Sequence, residues 1–156
     1  MASQIQVGGD RFVFSAAHAA LHDGHLEPLH GHSYVPTVLL SGEVDTAGIV
    51  VDFGIVEKAL GAVVARLHCR TLLAENAPGV DVAVSGAEVN MCCGPDRYRF
   101  PRSAVVLLPI VNTTTEALAS WILSEVVGLV GHRPGLIAGV ELAETSGLRA
   151  TVRQEP

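Results

Sequence analysis

HGHSYVPTVLL, residues 30–40, is the most informative stretch of this sequence. It opens an apolar, β-prone run with two histidines, and side chains two apart in a strand share one face. His30 and His32 are therefore expected to point in the same direction. His18 closes an earlier β-prone segment and offers a third imidazole nitrogen. Three such ligands are typical of a zinc (Zn2+) site that keeps one coordination position open for chemistry.

A His-x-His pair by itself does not specify a metal, because histidines also occur in surface loops. His22 and His25 lie between His18 and the His-Gly-His pair, and we interpret them as loop residues. Because all three precede the pair, His22 and His25 are also alternatives to His18 as the third ligand.

The composition favours one globular domain over residues 1–156, because 49% of the residues are hydrophobic and can bury a sizeable core. The net charge of −6 and the single lysine, Lys58, argue against a nucleic-acid partner. The sequence shows neither an apolar run of about 18 residues nor a signal-peptide pattern, so we expect a cytoplasmic protein without a membrane partner. The three cysteines are expected to be reduced thiols, because two of them are adjacent.

The β-prone segments predict an antiparallel sheet. Residues 4–17 and 32–42 are predicted as two long strands, joined by a loop rich in His, Gly and Pro. Short β-prone runs follow between residues 72 and 109, and residues 136–144 and 148–153 predict a closing hairpin.

Two amphipathic helices complete the predicted α+β fold. Asp52 is the predicted N-cap of the first helix, whose apolar residues recur at helical spacing. Thr113 is the predicted N-cap of the second helix, with Glu116 at the third helical position as in a capping box. Both helices are expected on one face of the sheet, and its open edges favour assembly with further copies.

Five motifs then identify a family by their order. They are Phe14-Ser15-Ala16-Ala17-His18, Leu29-His30-Gly31-His32-Ser33-Tyr34, Val50-Val51-Asp52-Phe53, Thr115-Glu116 and Glu144-Thr145. In this combination the chain resembles the 6-pyruvoyl-tetrahydropterin synthase and 6-carboxytetrahydropterin synthase family. The resemblance covers most of the chain, and only residues 76–101 are less typical.

The resemblance implies a tunnelling fold, in which a four-stranded antiparallel sheet with two helices trimerises into a barrel. Two trimers stack into a homo-hexamer, and the active sites lie between subunits. It also implies a zinc ion on His18, His30 and His32.

The resemblance further implies a pterin ring held by Glu144, with help from Thr115 and Glu116. A carboxylate suits a guanidine-like pterin edge, because two parallel N–H groups can donate to its two oxygens. Glu116 is compatible with both helix capping and ligand contact.

One departure concerns the base. Members that make pyruvoyl or carboxy pterins use a cysteine shortly before His-Gly-His, and residues 21–29 contain no cysteine. Glu27 instead matches the Glu-x-x-His-Gly-His pattern of a branch that cleaves 7,8-dihydroneopterin triphosphate to leave 6-hydroxymethyl-7,8-dihydropterin. A glutamate can serve as general base when its position and burial tune its proton affinity.

A second departure concerns the proton relay. The family usually has an Asp-His pair after the first helix, and this chain has His68 and Cys69 there. Either these two residues form a changed proton relay, with Cys69 as acid or base, or the site acts on another pterin by a related reaction.

Together these features predict a zinc-dependent lyase acting on the side chain of a dihydropterin such as 7,8-dihydroneopterin triphosphate. Glu27 would remove a proton, the His68-Cys69 pair would relay one, and Glu144 would hold the ring. The side chain would react either by retro-aldol cleavage or by phosphate elimination. Three alternatives stay open: a 6-pyruvoyl- or 6-carboxy-tetrahydropterin synthase with an altered relay, a non-catalytic zinc-containing pterin-binding protein, and a structural zinc protein.

Overall fold

The computed structural model describes residues 2–154. The strands are β1 (Ala2–Gly8), β2 (Phe14–His18), β3 (Leu21–His22), β4 (His25–Leu26), β5 (His30–Glu43), β6 (Arg70–Ala74), β7 (Asp81–Ser85), β8 (Glu88–Cys93), β9 (Asp96–Pro101), β10 (Val105–Leu108), β11 (Ile137–Thr145) and β12 (Leu148–Gln154). The helices are α1 (Phe53–Leu67) and α2 (Thr115–Val130).

The long strand β5 organises the main sheet. Both β1 and β2 pair antiparallel with it, β11 pairs with its other edge, and β12 closes the sheet in a hairpin with β11. The closing hairpin is therefore confirmed. The single strand predicted over residues 4–17 is wrong, because Gly9 adopts a φ of 82° and a short 3-10 helix follows at Asp10–Phe12. Glycine tolerates this backbone conformation, and the turn buries Phe12 in the core.

The predicted α+β class is confirmed, but the sheet is mixed rather than purely antiparallel. In addition to the antiparallel pairs, β6 pairs parallel with β2, and β10 pairs parallel with β6. These strands follow long connections, and only tight hairpins force antiparallel pairing.

Both helices pack on one face of the main sheet and on each other. Apolar residues of α1, such as Leu60, and of α2, such as Ile122, meet strand residues such as Phe14 and Leu142 in one core. None of the described helices has the length and apolar content needed to cross a bilayer.

One of the two predicted helix N-caps is confirmed, and the other is wrong. Asp52 is confirmed as the N-cap of α1, since its carboxylate accepts a hydrogen bond from Gly54 N at 2.8 Å. The prediction of Thr113 for α2 is wrong by one residue: Thr114 is the N-cap, and Glu116 is the second helical residue. Thr113 is instead almost fully buried, and its carbonyl is engaged by the His18 ring.

A second, three-stranded sheet, formed by β7, β8 and β9, packs against the chain segment between His18 and His30. Its buried residues Val89 and Met91 pack with Ala19 in a separate apolar cluster. Leu21 and Leu26 of the β3–β4 hairpin lie against the same cluster. This sheet therefore supports the hairpin immediately before Glu27.

Candidate metal centre

Strand pairing brings the three predicted histidines together. In the β2–β5 register, His18 lies opposite His30 and Ala16 lies opposite His32, so the three rings share the helix-covered face of the sheet. The ring centroid of His18 is 4.6 Å from that of His30 and 5.3 Å from that of His32. The His30 and His32 centroids are 4.8 Å apart.

Backbone carbonyls orient two of these rings. The Nδ1 atom of His18 lies 2.9 Å from Thr113 O, and that of His30 lies 2.7 Å from Pro28 O. Because a carbonyl only accepts hydrogen bonds, each Nδ1 carries the proton and each Nε2 keeps its lone pair. This is the arrangement by which proteins aim histidine ligands at a metal.

Glu144 joins the same cluster from the end of β11. Its Oε1 lies 2.9 Å from His32 Nε2, outside hydrogen-bonding geometry, and its Oε2 accepts a hydrogen bond from the Thr115 hydroxyl. The ligand atoms of Glu144 and the three histidines all lie within 4.8 Å of one another. The sequence reasoning assigned Glu144 to the pterin only, and missed its place beside the histidines.

The donor set fits a divalent transition metal. Among the described residues, the buried Nε2 atoms of His18 and His32 have no hydrogen-bond partner. Leaving two such atoms unpaired is costly, and a cation bound by their lone pairs would remove that cost. Imidazole nitrogens with one carboxylate suit zinc and its neighbours rather than calcium or magnesium.

The electrostatics of His18 support this arrangement. Burial lowers the pKa of its imidazole, and the nearby His30 and His32 add to the lowering. The hydrogen bond to Thr113 and the charge of Glu144 oppose it. The net lowering favours a neutral ring, which is the form that binds a metal.

Glu27 and Glu116 are both exposed, as is His30, whereas His18 is buried. The backbone N–H of Glu27 donates to Ala20 O at 2.9 Å, which fixes the chain just before His30. Glu116 lies on the first turn of α2, next to Thr115. Their roles in ligand binding or catalysis stay predictions.

His68 and Cys69 lie along the edge of β2, where β6 begins. His68 Nδ1 accepts a hydrogen bond from Ser15 N at 3.2 Å, and Cys69 N donates to Ser15 O at 2.7 Å. Ser15 pairs with Ser33, and this pair alternates with the Ala16–His32 pair, so it points away from the histidines. Ser15, Ser33 and Cys69 line an open groove of about 500 Å³. Cys69 does not belong to the cluster of ligand atoms formed by the histidines and Glu144, although His32 also borders the groove.

Comparisons with known proteins agree with this architecture. A model of the family 6-pyruvoyl tetrahydropterin synthase matches residues 9–155. A Methanocaldococcus jannaschii protein with the provisional name 6-carboxy-5,6,7,8-tetrahydropterin synthase is 32% identical over 116 residues, which are 72% of this chain and 70% of that protein.

Two solved structures share the whole fold. The 6-pyruvoyltetrahydropterin synthase of Plasmodium vivax has a TM-score of 0.93 at 24% identity, covering 100% of this chain and 99% of that one. The Plasmodium falciparum enzyme has a TM-score of 0.92 at 23% identity, with 98% of each chain covered. Two variants of the P. vivax enzyme replace a glutamate named as a catalytic residue by alanine or cysteine.

Proposed function

Because the chain belongs to the 6-pyruvoyl tetrahydropterin synthase family, we propose that it is a zinc-dependent lyase acting on 7,8-dihydroneopterin triphosphate or a related dihydropterin. The proposed product is 6-hydroxymethyl-7,8-dihydropterin. The observation that carries the proposal is the cluster of His18, His30, His32 and Glu144. Among residues 2–154, the buried Nε2 atoms of His18 and His32 have no hydrogen-bond partner.

The three histidines would hold the zinc ion. When bound, zinc supplies Lewis acidity, which makes a hydroxyl of the substrate side chain easier to deprotonate. The carbonyls of Thr113 and Pro28 keep the His18 and His30 rings in the tautomer that this task requires.

Glu27 is proposed as the general base. It would take the proton from the second side-chain hydroxyl, so that this carbon becomes a carbonyl and its bond to the first side-chain carbon breaks. The released electron pair enters the dihydropterin ring, and a proton then adds to the first carbon to leave a hydroxymethyl group. The naming of a glutamate as catalytic in the P. vivax enzyme supports this assignment.

Glu144 is proposed to hold the pterin ring. The Thr115 hydroxyl fixes one carboxylate oxygen, which limits the rotation of the group. A fixed carboxylate loses less conformational entropy when the two N–H groups of a pterin edge donate to it. Glu116, on the same helix turn, is proposed as a further contact.

We further propose a homo-hexamer, a dimer of trimers, in which sites lie between subunits. His68 and Cys69 lie beside Ser15 of β2, and neither belongs to the histidine cluster of its own chain. A relay role for this pair is therefore compatible with a site completed by another copy. Open sheet edges at β10 and β12 leave room for such assembly.

The second candidate is a 6-carboxy- or 6-pyruvoyl-tetrahydropterin synthase with an altered relay. The name of the M. jannaschii relative favours it. Product analysis separates it from the first candidate, and binding of a pterin without turnover would instead indicate a non-catalytic pterin-binding protein.

The test is incubation of the metal-analysed protein with 7,8-dihydroneopterin triphosphate, followed by chromatography and mass spectrometry. We expect a 6-hydroxymethyl product. Glu27→Gln should keep the metal and lower turnover by about 10²- to 10⁴-fold, because it removes the base without changing its shape. Glu43→Gln, at the other end of β5, is the matched control. Normal turnover by the Glu27 variant would place the base elsewhere.

A further inference from the structure

Tyr34 is a buried polar residue to which the proposed mechanism gives no task. Its relative exposure is 0%, and its hydroxyl has no hydrogen-bond partner among residues 2–154. A phenol that loses its contact with water normally finds a partner, since an unpaired buried donor is costly. A hydrogen-bond acceptor bound in the neighbouring site would remove this cost.

The ring of Tyr34 is held against the metal cluster. It stacks on Phe14, with centroids 5.1 Å apart, and meets His32 and His18 edge-on at 5.5 Å and 6.0 Å. Strand alternation explains this contact, because residues 30, 32 and 34 share one face of β5. Tyr34 therefore continues the row of metal-site side chains by one position.

The hydroxyl lies under the influence of two carboxylates of the site. Burial raises the pKa of Tyr34 strongly, and the charges of Glu144 and Glu27 raise it further. A phenol with its ordinary pKa of about 10 is already a hydrogen-bond donor near neutral pH. Neither carboxylate accepts its hydrogen bond.

We propose that Tyr34 is a substrate-positioning residue, whose hydroxyl donates a hydrogen bond to an oxygen of the substrate side chain beside the metal. This inference rests on the proposed function, because it requires a pterin with a hydroxylated side chain. The bond would fix the side chain between Glu27 and the histidines, where a small displacement of the reacting atoms slows the reaction. A pterin without a side-chain hydroxyl would offer the Tyr34 hydroxyl no oxygen for this hydrogen bond.

The test compares two ligands on two variants. The ligands are 7,8-dihydroneopterin, with a hydroxylated side chain, and 6-methyl-7,8-dihydropterin, with the same ring and no hydroxyl. Their dissociation constants are measured on the zinc-loaded full chain by titration calorimetry. Tyr34→Phe removes only the hydroxyl, and Tyr98→Phe in β9 is the matched control at the chain's second tyrosine.

We expect Tyr34→Phe to weaken 7,8-dihydroneopterin binding by about five- to tenfold, while 6-methyl-7,8-dihydropterin binds as before. Bound zinc and the ligand-free melting temperature should match those of Tyr98→Phe. Equal effects on both ligands, loss of zinc, or a clearly lower melting temperature would overturn the inference, because the hydroxyl would then have another task. If the unaltered protein binds neither pterin, the proposed function fails, and this inference with it.

Discussion

The two faces of the β2–β5 pair differ in how far they are covered and in the side chains that they carry. The face that carries His18 and His32 is largely covered, and backbone carbonyls orient its rings. The face that carries Ser15 and Ser33 borders an open groove with Cys69 at its edge. The side chains of neighbours such as His32 and Ser33 point to opposite faces of β5, although both residues border the groove. In the proposed hexamer, the histidine face of one copy would meet the groove of another copy.

The largest expected effect comes from removing a ligand on the covered face. His30→Ala should abolish stoichiometric zinc binding and turnover together, because only two imidazoles remain. Metal analysis with a turnover assay checks this, and His25→Ala in the exposed hairpin is the control. Full zinc content in the His30 variant would show that the ligand set is wrong.

The second-largest effect is expected from a change at Cys69, which borders the groove. Cys69→Ala should leave zinc and pterin binding intact and lower turnover by about a hundredfold, if its thiol relays a proton. Wild-type turnover would assign the thiol no role in the reaction.

Mixing variants shows whether the two faces meet between copies. After subunit exchange, Cys69→Ala and Glu27→Gln should together regain part of the activity, because some sites would combine one intact half from each chain. Glu27→Gln mixed with His30→Ala is the control, since both changes affect the same half-site. Equal failure of both mixtures would argue against shared sites.

The smallest expected effect is a pH dependence of the metal-free protein. Burial lowers the pKa of His18 from its usual value of 6.5, so the unfolded chain binds a proton more readily than the folded one. The contribution of His18 to the free energy of unfolding should therefore be complete above pH 6.5 and should decrease as the pH falls below that value. Urea unfolding at several pH values measures this.

A histidine exchange isolates that contribution. His18→Gln should flatten the pH dependence below 6.5, while His22→Gln, on the exposed β3–β4 hairpin, should leave it unchanged. The same pH dependence in both variants would assign the effect to other groups.

Much of the fold was predictable because its signals are local. The Asp52 cap and the closing hairpin each depend on a few adjacent residues, and the structure has both. Two predictions failed where distant contacts intervened. Thr113 is not the N-cap of α2, since its carbonyl meets His18, which is 95 residues away in sequence. The first strand breaks at Gly9, where the chain turns to bury Phe12.

The family and the histidine pair are readable from the amino-acid sequence alone. Local motifs identify the family, and side chains along a strand alternate between its two faces with a period of two residues. Three further facts appear only in the folded chain. Glu144 lies beside those histidines, the Tyr34 hydroxyl has no hydrogen-bond partner among residues 2–154, and Cys69 lies beside Ser15. These facts depend on packing between elements far apart in sequence, such as the contact of Thr115 with Glu144, 29 residues later. Local pattern fixes which face a side chain occupies, whereas long-range packing fixes what it meets there.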